Sequence, residues 1–478
     1  MKVAFVVSEA APFIKTGGLG DVAQSLPSAL SKYKGNEVCV FLPYYKSIKD
    51  NKSIRKEFID SFGVELSWKR QHVGVFRAKV RGNVTIYLID NEYYFGRDNA
   101  YGYFDDGERF AYFSKAVLET ICHLGIEPQI IHANDWQTAL VPIFLRAFYQ
   151  DRLGDAKSVF TIHNIEYQGE NDPYFICDTL GLTPEYTKML TFEGTINFMK
   201  GAILAADAVT TVSKTYAEEI KYPYFSYGLD DIVKQHAFKL SGIVNGIDTK
   251  LYDPAKDKSL VANYTANGFK EGKAKNKAAL QKELGFKVKA DVPVVAMVTR
   301  LVGHKGIDLV CEALDELMKL DIQLVILGTG EGKYEQALKA CAEANPKKFA
   351  ANLAFDSELA SRVYASADML LMPSKSEPCG LTQLIAMRYG TVPVVKATGG
   401  LKDTVSAFDA ASGEGLGFTF QSYSKEEMLD ALQSALKIYA KDKETWNKLI
   451  ENDMARDSSW DKQATEYVSL YNKLITFM

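Results

Sequence analysis

Lys2-Val3-Ala4-Phe5-Val6-Val7-Ser8-Glu9, followed by Lys15-Thr16-Gly17-Gly18-Leu19-Gly20-Asp21-Val22, decides how the chain folds. Val3–Ser8 is a short apolar run that suits a strand buried on both faces of a parallel sheet. Past the glycines, Leu19, Val22, Ala23, Leu26 and Leu30 fall at the spacing of one apolar helix face, with Pro27 expected to bend it. A strand, a glycine-rich turn and a helix in that order open a doubly wound α/β architecture.

The same alternation recurs along the chain. Short Val- and Ile-rich runs fall at Val38–Leu42, Val84–Ile89, Ile130–His132, Val159–His163 and Ala208–Val212. They return at Val294–Val298, Leu324–Gly328, Met369–Met372 and Val392–Val395. One stretch breaks the pattern. From about Phe62 to Ile89 strand patterns follow each other directly, Val73–Val80 and then Val84–Ile89 about an Arg81-Gly82-Asn83 turn, as in an antiparallel insertion. A boundary falls near Asn245-Gly246-Ile247-Asp248, preceded by a strand at Ile243-Val244 and followed by a polar, Lys- and Asn-rich stretch to about Lys289. The expected organisation is two Rossmann-like domains, 1–245 and 246–459. A helix at 460–478, with Trp460, Ala464, Tyr467, Leu470 and Tyr471 at helical spacing, is expected to pack back on the first.

Composition excludes several classes. Hydrophobic residues at 47% and charged residues at 24% of 478 describe an ordinary globular chain rather than a disordered one. Lys and Arg number 56 against 60 Asp and Glu, a net charge of −4, which gives no general electrostatic reason to bind nucleic acid or an anionic membrane. Any phosphate must be held by a local site. Six cysteines without a CxxC pair read as reduced thiols, and six scattered histidines without HExxH offer no zinc site. No apolar stretch reaches the roughly 18 residues of a membrane span, and the chain reads as cytoplasmic.

In open parallel sheets ligands bind beyond the carboxyl ends of the strands, so the residues just after each run carry the chemistry. After the first come Glu9 and then the Lys15–Asp21 loop, whose glycines allow close backbone approach while Lys15 adds a positive charge. It is neither a Walker A loop nor GxGxxG. His132-Ala133-Asn134-Asp135-Trp136 and Thr161-Ile162-His163-Asn164 end two consecutive strands. His163 there can act through its ring or its main-chain oxygen, or be a satisfied, partly buried histidine; Trp136 reads as core. In the second half Arg300, Lys305 and Gly306 suit a diphosphate, Arg as a planar fork of donors and Lys as a point charge. Glu377-Pro378-Cys379-Gly380-Leu381-Thr382 sets a carboxylate beside a helix start, able to take sugar hydroxyls and a phosphate respectively. Cys379 has no adjacent histidine to activate it and reads as a buried thiol. Gly328-Thr329-Gly330-Glu331-Gly332 reads as a tight turn.

Together the Lys15–Val22, His132–Trp136, Asn245–Asp248, Arg300-Leu301 with Lys305-Gly306, Glu377–Gln383 and Thr398–Leu401 motifs resemble those of the bacterial glycogen synthases and plant starch synthases. The resemblance implies the GT-B fold, two Rossmann-like domains with an interdomain cleft. It implies transfer of glucose from ADP-glucose to the non-reducing end of an α-1,4-glucan, with retention and with no metal or other cofactor. By motif match Lys15, Gly18, Arg300, Lys305 and Thr382 would face the diphosphate, and Glu377 and His163 the donor glucose. Asp135 and Asn164 would lie near the glucose or the acceptor end, and Phe355 would stack on adenine, where many relatives have Tyr. Gly17, Asp21, Asn245, Cys379, Gly380 and Leu381 complete the binding set that the resemblance implies. Position 134 is Asn here and His in some relatives.

Three other readings stay open at this level. A dinucleotide oxidoreductase would want GxGxxG, which neither glycine turn supplies. A non-catalytic glucan binder would need aromatic platforms, for which 26 Tyr and 26 Phe leave room. An enzyme of the same fold using UDP-glucose is the hardest to separate, because base recognition can rest on main-chain contacts.

Overall fold

The computed structural model describes residues 1–79, 83–354 and 356–476. The chain divides into two compact units, Met1–Asn245 with Trp460–Met478, and Gly246–Ser459.

The strands of the first unit are, in chain order, β1 (Lys2–Val6), β2 (Glu37–Pro43), β3 (Lys56–Leu66), β4 (Lys69–Lys79), β5 (Val84–Asp90), β6 (Ile130–Asn134), β7 (Lys157–Ile162), β8 (Glu170–Asn171), β9 (Thr191–Phe192), β10 (Thr195–Asn197), β11 (Ala208–Thr211) and β12 (Leu240–Gly242). Nine of them form one sheet in the order β12-β11-β7-β6-β1-β2-β5-β4-β3, and β8-β10-β9 form a small second sheet. From β1 the main sheet grows in both directions, through β2 on one side and β6 on the other, and both pairings are parallel. That makes the carboxyl ends of β1 and β6 the switch point, where a crevice opens for ligand. Val3–Val6 and all of β6 are buried, as double coverage by helices requires.

The second unit repeats the device. Its strands are β13 (Val294–Val298), β14 (Gln323–Leu327), β15 (Phe349–Asn352), β16 (Met369–Met372), β17 (Val392–Lys396) and β18 (Phe418–Phe420), in the order β15-β14-β13-β16-β17-β18. Every pairing is parallel, and the switch point lies between β13 and β16.

The helix Trp460–Thr476 belongs to the first unit and buries Trp460, Ala464, Tyr467 and Tyr471 there. Tyr471 reaches the sheet itself, with its hydroxyl 2.6 Å from Nδ1 of His132 in β6.

The structure departs from the sequence expectations in four places. The irregular stretch begins at Lys56, not near Phe62: β3 and β4 form an antiparallel edge hairpin, turned at Ser67 with φ 54. β5 is not part of an antiparallel insertion alone, because it also pairs in parallel with β2. The Arg81-Gly82 turn lies outside the described residues. The last strand of the first sheet is Leu240–Gly242 rather than Ile243-Val244, although the Ile243 amide still donates to the Thr211 carbonyl at 2.8 Å. The edge strands β15 and β18 were missed because four residues rich in alanine and three residues in all leave no apolar run to detect.

Candidate active site

In the first unit, the chain leaves β1 at the switch point and enters Glu9, which is 3% exposed. One carboxylate oxygen of Glu9 accepts both the amide and the hydroxyl of Thr16, each at 2.6 Å. The loop so tethered carries Lys15, whose Nζ donates to Asp21 Oδ1 at 2.8 Å. Gly20 is packed on the Lys15 side chain, so that a Cβ there would lie 3.1 Å from Lys15 Cγ. No side chain caps the helix Gly18–Leu30 that follows. Its N-terminus, with Gly17 and Gly18 at the tip, is therefore open to an anion.

Beside it, β6 ends in Asp135, whose backbone sits at φ 58 and ψ 177. A non-glycine residue there is strained by about 1–3 kcal/mol and is held by its surroundings. The Asp135 amide donates to the Thr161 carbonyl at 2.9 Å, and its Oδ1 accepts the amides of His163 at 2.7 Å and Asn164 at 3.3 Å. Asp135 thereby ties the ends of β6 and β7 together. Burial pushes its carboxyl up to about 7; the two amide bonds pull the other way, and the Glu9 charge adds to the rise.

The His163 ring is oriented by Asn134, whose Oδ1 lies 2.9 Å from Nε2, while Asn134 Nδ2 donates to the Val6 carbonyl at 3.1 Å. Burial lowers the His163 imidazole to about 3, so it is neutral at working pH. The other histidine of the pair, His132, is fully buried between Tyr471 and Thr161 and has a structural role. Trp136 packs edge-on against Phe110 at 5.3 Å. Asn245 is buried at the end of the unit, and its Oδ1 has no hydrogen-bond partner among the described residues.

In the second unit, β13 runs out into Arg300, which is exposed. The turn that follows is pressed onto the segment after β16. A Cβ on Gly306 would meet the Pro373 carbonyl at 2.2 Å, and the Lys375 amide donates to the His304 carbonyl at 2.9 Å. That docking delivers Lys305 to Glu377: Nζ lies 2.7 Å from both carboxylate oxygens. Ser374 Oγ donates to the same carboxylate at 3.0 Å, and Glu377 itself is 5% exposed.

Behind Glu377 the chain turns through Gly380 at φ 72, a left-handed backbone that favours glycine. Cys379 is buried, with its carbonyl so close to Gly400 that a Cβ there would sit 2.1 Å away. The Cys379 carbonyl also accepts from Gln383 Nε2 at 3.0 Å. Leu381 and Thr382 begin the helix Thr382–Arg388, where no side chain caps the N-terminus. The Gly328–Gly332 turn is structural: a Cβ on Gly328 would lie 1.8 Å from the Thr299 carbonyl.

Lys15, Gly17, Gly18 and Asp21 thus gather after β1, with His163, Asp135 and Asn164 after β6 and β7. Arg300, Lys305, Glu377, Cys379, Gly380, Leu381 and Thr382 gather after β13 and β16. Phe355 lies outside the described residues. Three residues that sequence reading left without a role support these groups: Glu9, Asn134 and Ser374. Glu9 alone had a visible signal, a charge set directly after a buried strand. Among the described residues no group of three or more His, Cys, Asp or Glu side chains is placed to hold a metal ion, and no helix is long and apolar enough to cross a membrane.

The chain's likeness to known proteins agrees with this arrangement. Residues 2–235 match the family model for the starch synthase catalytic domain, and residues 281–454 that for glycosyl transferases group 1. It is 46% identical to a glycogen synthase of Bacillus cereus (strain Q1) over 99% of this chain and 100% of that one. It is 47% identical to a glycogen synthase of Exiguobacterium sibiricum over 98% of each. Among solved structures, the catalytic domain of starch synthase IV from Arabidopsis thaliana, bound to ADP and acarbose, superposes with TM-score 0.92 at 35% identity over 99% of both chains. Sucrose-phosphate synthase from Thermosynechococcus elongatus, at 19% identity and TM-score 0.62, shares the fold.

Two parallel-sheet units with switch-point sites of this kind define a glycosyltransferase of the GT-B class. Within that class the chain belongs to the glycogen synthase family, whose enzymes transfer glucose from a nucleotide sugar to a growing glucan.

Proposed function

We propose that the protein transfers glucose from ADP-glucose to the non-reducing end of an α-1,4-glucan with retention at the anomeric carbon. The observation that carries the donor assignment is the full-length likeness to a starch synthase holding ADP and acarbose. The site residues supply a rationale for the chemistry. Cleavage between glucose C1 and the diphosphate leaves negative charge on the departing group and oxocarbenium character on the sugar. Lys15, Arg300 and Lys305, with the amides at Gly18 and Thr382, receive the first charge; a preorganised donor of this kind is commonly worth about 10²–10³ in rate.

Glu377 and His163 hold the donor glucose. His163 is neutral, so it acts as a hydrogen-bonding group or through its main-chain oxygen, and not as a cationic acid. Asp135 and Asn164 attend the glucose and the acceptor end, Phe355 the adenine. Gly17, Asp21, Asn245, Cys379, Gly380 and Leu381 shape the binding loops around them. The glucan's hydroxyl attacks from the face that the diphosphate leaves, and the departing phosphate accepts its proton.

Product analysis tests this reading. ADP-glucose and a maltooligosaccharide are expected to give new α-1,4 linkages by proton NMR, with no glucosyl ester trapped on a carboxylate. A β-linked product, or a trapped ester on Glu377, overturns the proposed course.

A further inference from the structure

Glu9 is buried directly beneath the loop that carries Lys15, yet it is neither a ligand-facing cation nor part of the sheet. Its carboxylate receives the Thr16 amide and hydroxyl at 2.6 Å each. A Cβ on Gly17 would lie 3.7 Å from its other oxygen. One side chain therefore anchors the loop at Thr16, next to Gly17 and Gly18 at the tip. A buried carboxylate that takes a backbone amide and a hydroxyl holds the inside of the turn much as an anionic ligand would hold the outside.

We propose that Glu9 is a positioning residue for the transfer reaction: as a carboxylate it grips Thr16 and so holds the turn that presents Lys15 and the Gly17-Gly18 amides to a diphosphate, and it grips Thr16 more weakly when protonated. The inference deepens the proposed function and rests on it. A protonated carboxyl can still accept both Thr16 donors on its carbonyl oxygen, but these neutral bonds are weaker than the charge-assisted bonds to a carboxylate.

The surroundings make that switch accessible. Burial raises the Glu9 carboxyl above its ordinary value, opposed by the hydrogen bonds from Thr16 and reinforced by the Asp21 charge. The other ionisable groups that feel Glu9 are Asp135 after β6, Tyr45 after β2 and Tyr101, whose hydroxyl lies 2.8 Å from Ser8 Oγ. Lys15, on the loop itself, is engaged with Asp21. Apart from that engaged lysine, these neighbours are acids, so none of them provides Glu9 with a direct counter-ion.

The test compares wild type, Glu9→Gln and Thr16→Val in ADP-glucose-dependent transfer from pH 5 to pH 8, with pyrophosphate binding by calorimetry alongside. At pH 8, E9Q is expected to lose about 10–100-fold in kcat/KM, and T16V, which removes one of the two Thr16 donors, about 3–10-fold. The gap between wild type and E9Q should narrow as pH falls, because the protonated wild-type residue becomes equivalent to the amide. A wild type/E9Q ratio that stays constant with pH, or E9Q activity equal to wild type at pH 8, overturns the inference. If E9Q does not fold, T16V decides: undiminished transfer by a folded T16V overturns it. A wild type that binds pyrophosphate but leaves ADP-glucose intact sinks the functional reading and not Glu9's role. Equal pyrophosphate affinity in wild type and E9Q sinks that role alone.

Discussion

Lys305 places its ammonium 2.7 Å from both carboxylate oxygens of Glu377, and Ser374 completes the carboxylate's shell. The two residues come from loops after adjacent strands, β13 and β16, on either side of the switch point. Lys305 is therefore both a candidate phosphate ligand and the charge that allows Glu377 to be buried. Replacing it leaves Glu377 without its counter-ion, a change that for such pairs costs about 1–3 kcal/mol when some solvent access and a second hydrogen bond remain. Lys305→Met is expected to lose both stability and transfer. The double variant with Glu377→Gln should recover most of the stability while staying at least about 100-fold below wild type in kcat. Thermal unfolding and turnover of the four proteins check this; a double variant no more stable than K305M contradicts it.

Lys15 makes the contrasting case. Its side chain is 33% exposed, and it pairs with Asp21 at the surface, an arrangement worth about 1 kcal/mol at most. Lys15→Ala should leave the melting temperature nearly unchanged and cut transfer by about 10²–10³. If Lys15 and Arg300 act on one diphosphate, the loss in the double variant Lys15→Ala/Arg300→Ala should fall short of the product of the single losses. A K15A enzyme within about threefold of wild type contradicts the assignment.

Asp135 predicts a pH-dependent stability difference. Its carboxyl is raised from 3.8 to about 7 in the folded protein. Between those values the folded state keeps a proton that the unfolded state has lost, so this group's contribution to stability falls as pH rises through the window and is level above it. Asp135→Asn removes that dependence. Relative to wild type, D135N should gain on the order of 1–2 kcal/mol between pH 4 and pH 8, the magnitude discounted because the residue is only half-buried. The difference in melting temperature is expected to be more favourable to D135N at pH 8 than at pH 5. An equal or reversed difference contradicts the origin assigned to the shift.

The C-terminal helix predicts a purely structural effect. Tyr471 places its hydroxyl 2.6 Å from the fully buried His132 ring, which is held neutral by burial. Tyr471→Phe leaves that ring nitrogen unpaired, at a cost of about 1–3 kcal/mol. Melting temperature should fall while KM for ADP-glucose stays put; an unchanged melting temperature contradicts the contact.

Much of this was legible in the sequence, for identifiable reasons. β1, β6, β13 and β16 are continuous apolar runs because helices cover both their faces, and the polar residues that end them fall at the switch points. Lys15, Asp135, His163, Arg300, Lys305 and Glu377 could therefore be singled out as residues following strands, while their expected roles came from the family resemblance. What sequence hid was pairing. Nothing in the spacing of 305 and 377 says that their side chains meet; that follows from Gly306 seating against Pro373. Nor does Asn134 announce that it fixes the His163 ring, since the two join only when β6 and β7 lie side by side. The edge strands were lost for another reason: β18 is three residues long, and β15 is built on Ala350 and Ala351.

The most direct measurement of the central claim is nucleoside diphosphate release from ADP-glucose and from UDP-glucose, each with and without glycogen, by the same protein preparation. The account predicts ADP release that depends on glycogen and exceeds UDP release under matched conditions. Release that ignores glycogen, or that favours UDP-glucose, would contradict it.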